Sequence, residues 1–267
     1  MPIVRASYRP VPERLYHYTH GDAVHNIITG GAGENEEICF WLKNARCKND
    51  VAELKLGEAL TEGLQKYMHD HNRASILNEI VINPDLVFIN SFTEGEDVTN
   101  HLLTEYGNFR MEFDLRGCKC KNDIHECDYF TEDAIGELID CYCSSFDRYW
   151  PLFSGENKDI NALAEYLIEG MSAVRSIPLL KHQEEWEQES EWRHVFHRQK
   201  DDERVFIHPD GLPRMKVFYP ACSLTGITYF PLAKDKESDL AYYRAISDWV
   251  NKQGWNTQVN MVDVGEK

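Results

Sequence analysis

Strand-like and helix-like segments follow one another along this chain without a β-α-β rhythm, and that irregular order constrains the fold more than any single motif does. The strand signal is plainest from Asn108 to Leu115, where Phe109, Met111 and Phe113 alternate with Arg110, Glu112 and Asp114. Further strands are expected at Arg14–Tyr18, Ile38–Leu42, Asp85–Phe92, Trp192–His197, Arg204–Ile207, Met215–Tyr219, Gly226–Phe230 and Thr257–Val262. The Ile38–Leu42 run is continuously apolar and aromatic, which predicts a strand buried on both faces.

Helical spacing lies between these strands. Val24, Ile27 and Ile28 share one side ahead of Gly30 and Gly31, and Leu56, Leu60, Leu64, Tyr67 and Met68 follow Asp50 and Glu53, a pair with the form of a capping box. Ile160, Leu163, Ala164, Leu167, Met171 and Val174 form an apolar stripe over about Lys158–Val174. A last helix, Glu237–Gln253, uses Leu240, Tyr243 and Val250 and stops at Gly254. The order predicts an α+β single domain over residues 1–267, with residues 1–14 as an N-terminal arm. No GxGxxG follows a strand and no GxxxxGK precedes a Ser or Thr, so Rossmann-type and P-loop nucleotide binding are unsupported.

With 267 residues, 42% of them hydrophobic, the chain is long enough for one large core. Its net charge of -17, from 45 acidic against 28 basic residues, disfavours coating nucleic acid and favours a protein or small-molecule partner. MPIVRASYRPVPERL lacks an apolar leader, and no stretch reaches the ~18 apolar residues of a membrane span. The expectation is therefore a cytoplasmic protein, without membrane contact, whose eight cysteines are free thiols. Cys118, Cys120, His125 and Cys127 are packed too closely for the usual structural-zinc spacing, so no metal is expected, although a metal-dependent hydrolase is the reading such a cluster would support.

Two strings carry the chemistry. LYHYT, Leu15–Thr19, sets His17 between Tyr16 and Tyr18; EWEQESEWR, Glu185–Arg193, sets Glu189 and Glu191 at the i, i+2 spacing that shares one face of a strand. Taken alone, His17 reads as a core histidine satisfied by a backbone carbonyl, and the acids read as a solvated strand paired with Arg193. Taken together they suit a cleft in which one carboxylate stabilises a developing positive charge and the other accepts a proton.

The order LYHYT, FWLKNARCKNDVAE, NSFTEGED with HLLTEYGNFRMEFD, and W-x-x-E-x-E-W-R resembles the bacterial domain-of-unknown-function family 2971 over about Leu15–Val262. One departure is that Asn100, His101 and Leu102, running on to Tyr106, stand where that family commonly has a Trp before a His-Tyr segment. The family is in turn similar to the ADP-ribosyltransferase superfamily, particularly to DarT-type toxins. The resemblance implies a split, twisted β-sandwich with flanking helices that takes NAD as substrate and passes ADP-ribose to an acceptor, in the setting of a toxin or a phage-defence effector with an antitoxin or immunity partner. It implies that His17, Tyr18 and Thr19 seat the NAD riboses, that Glu191 holds the nicotinamide ribose 2′-hydroxyl, and that Glu189 orients or deprotonates the acceptor. Trp41, Phe92 and Tyr106 are candidates for an aromatic floor, and Asn49, Ser91 and Arg193 complete the expected binding set. Two alternatives stay open: a NAD glycohydrolase, and a non-catalytic nucleotide-binding or protein-interaction module of the same fold.

Overall fold

In the computed structural model, which describes residues 9–31, 36–45, 55–73, 87–95, 99–154, 159–182, 189–198, 201–232 and 237–262, the alternation at Asn108–Leu115 becomes β4 (Phe109–Phe113). Phe109, Met111 and Phe113 are fully buried, while Arg110 and Glu112 are half-buried. Around β4 run β1 (Leu15–Thr19), β2 (Glu37–Asn44), β3 (Val87–Thr93), β5 (Ile124–Glu126), β8 (Glu191–His197), β9 (Val205–Ile207), β10 (Pro213–Pro220), β11 (Leu224–Tyr229) and β12 (Gln258–Met261). These strands make one ten-stranded sheet in which every pairing is antiparallel except β11 with β12. A separate parallel pair joins β6 (Asp128–Phe130) to β7 (Leu180–His182). The class is α+β, as the irregular order of elements predicts.

The sheet forks at β3. One edge of β3 pairs with β8 over its whole length, from Val87 opposite His197 to Thr93 opposite Glu191. The other edge is divided: Phe88 and Ile89 pair with Asn44 and Lys43 of β2, and Thr93 pairs with Tyr16 of β1. From there β1, β4, β11 and β12 continue as one wing and β2, β10 and β9 as the other. Asn90, Ser91 and Phe92 lie at the parting of the two wings.

The main core covers the sheet with Leu15, Phe40, Phe92, Phe113, Trp192 and Ile227, joined by Val24 and Ile28 of α1 (Gly21–Gly30) and by Ile246 and Val250 of α6 (Glu237–Gln253). Gly254, at φ +67, adopts the left-handed conformation that ends α6. A second core is helical: Leu56, Leu60, Leu64 and Met68 of α2 (Lys55–Asp70) meet Tyr142 and Phe146 of α4 (Glu132–Ser154) and Tyr166 of α5 (Ile160–Ser176). The short α3 (Asn100–Glu105) is capped by the Thr99 hydroxyl, which accepts from the Leu102 N–H at 3.2 Å. Among the described residues no helix is long and apolar enough to cross a membrane.

Two sequence expectations are corrected, and one helix is added to them. The apolar stripe expected on α5 faces solvent at Ile160, Leu167 and Met171, and the buried face is Ala162, Tyr166 and Ala173. Tyr166 packs within 5.1 Å of the Phe146 ring and 5.0 Å of the Phe153 ring, and such an aromatic cluster buries more area than the aliphatic stripe could. The strand over Ile38–Leu42 is not covered on both faces, because Trp41 is 47% exposed. The added helix is α4, absent from the sequence expectation, in which Ile135, Leu138, Tyr142 and Phe146 repeat at helical spacing and are buried. The capping box at Asp50 and Glu53 lies outside the described residues.

Candidate active site in the fork of the sheet

A cavity of about 890 Å³ opens where β1 and β2 part, within the size range of small-molecule sites. It is lined from β1 by His17, Tyr18 and Thr19, from β2 by Trp41, and from β3 by Ser91 and Phe92. Tyr106, Glu189 and Glu191 complete it together with Lys181 of β7. Nine of the eleven residues singled out in the sequence therefore line one space. Asn49 lies outside the described residues. Arg193 is corrected: its side chain is wholly buried and stands behind Glu191, not on the cavity wall.

His17 fills the parting of the strands. Its Nδ1 donates to the Ser91 carbonyl at 2.9 Å; a carbonyl only accepts, so Nδ1 carries the proton and Nε2 is left as an acceptor. The ring stands edge-on to Phe40 at 5.1 Å and to Phe92 at 6.1 Å. Burial outweighs that hydrogen bond and lowers the imidazole pKa below its ordinary 6.5, so the ring is neutral. The core histidine satisfied by a carbonyl and the cavity-lining histidine are thus the same residue.

The two acids meet at one lysine. Lys181 Nζ donates to Glu189 Oε2 at 2.8 Å and also to Glu191 Oε2. Arg193 donates through Nε to Glu191 Oε1 at 2.8 Å and through Nη2 to Oε2 at 3.2 Å, while its Nη1 is held by the Pro178 carbonyl at 2.6 Å. Glu189 Oε1 accepts from the Tyr106 hydroxyl at 2.7 Å and lies 3.4 Å from His101 Nε2. The Glu191 N–H donates to the Tyr129 hydroxyl at 2.8 Å. Burial alone would lower the Lys181 pKa; attraction to Glu191 and Glu189 outweighs burial and the opposing charge of Arg193 and raises it.

The acids reach Lys181 by a route that strand periodicity does not describe. Glu191 opens β8, but Glu189 sits in a single turn before it, and Ser190 between them has φ +44. A left-handed non-glycine residue costs about 1–3 kcal/mol, a strain that marks built sites. Tyr106 is aimed by a second special backbone position. Gly107 has φ +123, and a Cβ there would come within 2.4 Å of the Thr19 carbonyl, so only glycine lets this turn close against β1.

Behind the cavity, His194 of β8 sits opposite Asn90. Asn90 Nδ2 donates to the Tyr219 hydroxyl at 3.2 Å, which lies 2.8 Å from His194 Nδ1; His194 Nε2 has no partner among the described residues. Burial, with the nearby charges of Arg198 and His125, pushes the His194 pKa down to about 3.

Lys181 and His101 carried no sequence signal of the usual kind. Lys181 ends the apolar run Ile177–Leu180 just ahead of the acid-rich string, and a lone cation in that position is the feature that could have found it. Among the described residues no group of three or more His, Cys, Asp or Glu side chains is arranged to hold a metal ion, and the seven described cysteines are free thiols.

What fold and site define together is an α+β protein on a forked, largely antiparallel sheet, with a buried carboxylate pair, two cations and a neutral histidine around one cleft. No family model, no curated protein and no solved structure matches the chain.

Proposed function

We propose that this chain is an NAD-dependent ADP-ribosyltransferase, with the split, twisted β-sandwich of that superfamily and a toxin or phage-defence role. The observation that carries the reading is that His17 and Glu191, far apart in the sequence, line one cavity at the fork of β3. A half-buried neutral imidazole suits a sugar hydroxyl, and a buried carboxylate suits a developing cation.

The bond that breaks joins the anomeric carbon of the nicotinamide ribose to the ring nitrogen. Its electron pair leaves with nicotinamide, which departs neutral, and positive charge grows at the anomeric carbon. Glu191 accepts from the 2′-hydroxyl and sets its negative charge against that growing cation. His17 and Thr19 hold the ribose, with Tyr18, Ser91 and an aromatic wall of Phe92, Trp41 and Tyr106 beside it. The acceptor's nucleophile bonds to the anomeric carbon and its proton passes to Glu189. Water in place of the acceptor gives the glycohydrolase. The acidic balance of the chain favours a protein or small-molecule acceptor.

One observation favours a second reading, a non-catalytic module. Lys181, Arg193, Glu189 and Glu191 satisfy one another without any ligand, so the quartet could serve as a brace. The two readings separate on incubation with NAD and measurement of released nicotinamide. The transferase reading expects release that falls at least a hundredfold in Glu191→Gln and clearly in His17→Ala, a range typical for losing one such electrostatic group. Release that survives both substitutions sinks the site, and absence of NAD binding by calorimetry leaves the module.

A further inference from the structure

Beside the cavity, two buried carboxylates share one buried ammonium, an arrangement that costs desolvation three times over. Lys181 is 2% exposed, and Glu189 and Glu191 are each 5% exposed. Apolar residues of similar volume would hold such a spot at least as well, so stability alone does not explain the cluster.

Both Oε2 atoms bond the same Nζ, which keeps them within about 6 Å of each other. Two carboxylates that close, away from water, ordinarily share a proton. At an effective dielectric of about 20, their repulsion corresponds to about two pH units of extra proton affinity. Arg193 offsets part of this through its bonds to Glu191. Toward Glu189 the described residues also bring the Tyr106 hydroxyl and the half-exposed His101. Tyr129, facing the pair from β6, is kept neutral because burial raises its hydroxyl pKa. Lys181 bonds both acids directly.

We propose that Lys181 is a positioning residue that keeps Glu189 and Glu191 ionised together, so that the cleft holds two carboxylates in place of one carboxylate and one carboxylic acid. The catalytic part of this inference rests on the transferase reading: one charge faces the anomeric carbon while the other stays free to take the acceptor's proton. The fold supplies the lysine from outside the sheet. α5 runs through a turn, Ile177–Leu179, into β7, and buried Leu179 and Leu180 anchor the chain so that the Lys181 stem passes inward.

The test compares wild type, Lys181→Met and Lys181→Arg in two readouts. Carbon-13 NMR of the glutamate carboxyls counts protons on the pair with no substrate present, the two signals assigned through Glu189→Gln and Glu191→Gln. The wild-type pair is expected to carry no proton at pH 7. In Lys181→Met it takes up one proton one to two pH units higher, and Lys181→Arg restores the wild-type curve. In the second readout, the acid limb of nicotinamide release moves up by the same one to two units in Lys181→Met. A carboxyl titration in Lys181→Met that overlays wild type overturns the proposal. So does a wild-type pair that already holds a proton at pH 7, a result that requires no variant to fold. If the carboxyl titration shifts as expected but no variant, nor wild type, releases nicotinamide, the transferase reading falls and the role of Lys181 stands.

Discussion

Acidification should destabilise this protein in part through His194, whose share can be isolated. The histidine is 1% exposed, its Nε2 has no partner among the described residues, and its pKa is pushed down to about 3, against 6.5 in an unfolded chain. A group with a depressed folded pKa contributes stability that is present above its unfolded value and is lost as pH falls toward the folded one. The window is therefore pH 6.5 down to 3, in which the unfolded chain binds a proton that the native state refuses. Linkage converts this to a loss of about 2 kcal/mol at pH 5 and about 3 kcal/mol at pH 4, relative to neutrality. Urea denaturation at half-unit steps from pH 7 to 4 measures it, with His194→Asn as the comparison. Asparagine keeps a hydrogen-bonding side chain toward Tyr219 but does not titrate, and any cavity it leaves costs the same at every pH. The variant should lose stability less steeply than wild type, the gap between the two curves closing by about 3 kcal/mol over the range. Parallel curves would refute the reasoning, because they would mean that His194 is protonated in the folded protein without penalty.

Two further substitutions test the packing. Tyr166→Ala should cost about 3–5 kcal/mol in urea denaturation by opening the helical core, whereas Leu167→Ala, on the neighbouring exposed face, should stay within about 0.5 kcal/mol. Equal costs would mean that α5 is rotated. Gly107→Ala should cost about 3 kcal/mol or more, from its left-handed backbone and from a Cβ driven into the Thr19 carbonyl. A melting temperature unchanged in that variant would exclude so tight a turn.

The longer strands are legible because their signal is local, whereas β5, β6 and β7, of three residues each, are too short to show a period and are absent from the sequence expectation. β4 buries every second residue, and a period of two survives whatever it is packed against. The face of α5 was not legible for the opposite reason: apolar residues stand on both sides of it, and the choice belongs to α4, where Phe146, Trp150 and Phe153 select Tyr166. The site divides in the same way. His17, Glu189 and Glu191 stand out as residue types in unusual company, an imidazole inside an aromatic run and acids framed by tryptophans. Lys181 has no such mark, since its meaning depends on α5 and β7 delivering it beneath β8. Arg193, expected in the binding set, is turned back onto Glu191 and away from the cavity, as the plainer reading of an acid paired with Arg193 has it.

The unbroken seven-residue register between β3 and β8 limits how chains descended from this one can vary in length. A single residue inserted into either strand would turn the Glu191 side chain through to the opposite face and bring Trp192 round in its place. An insertion of two would restore the face but carry the carboxylate about 7 Å along the strand, beyond the span of one lysine. Deletions fail by the same arithmetic. Gaps should accumulate in the connecting segments of related sequences, while Val87–Thr93 and Glu191–His197 align without one.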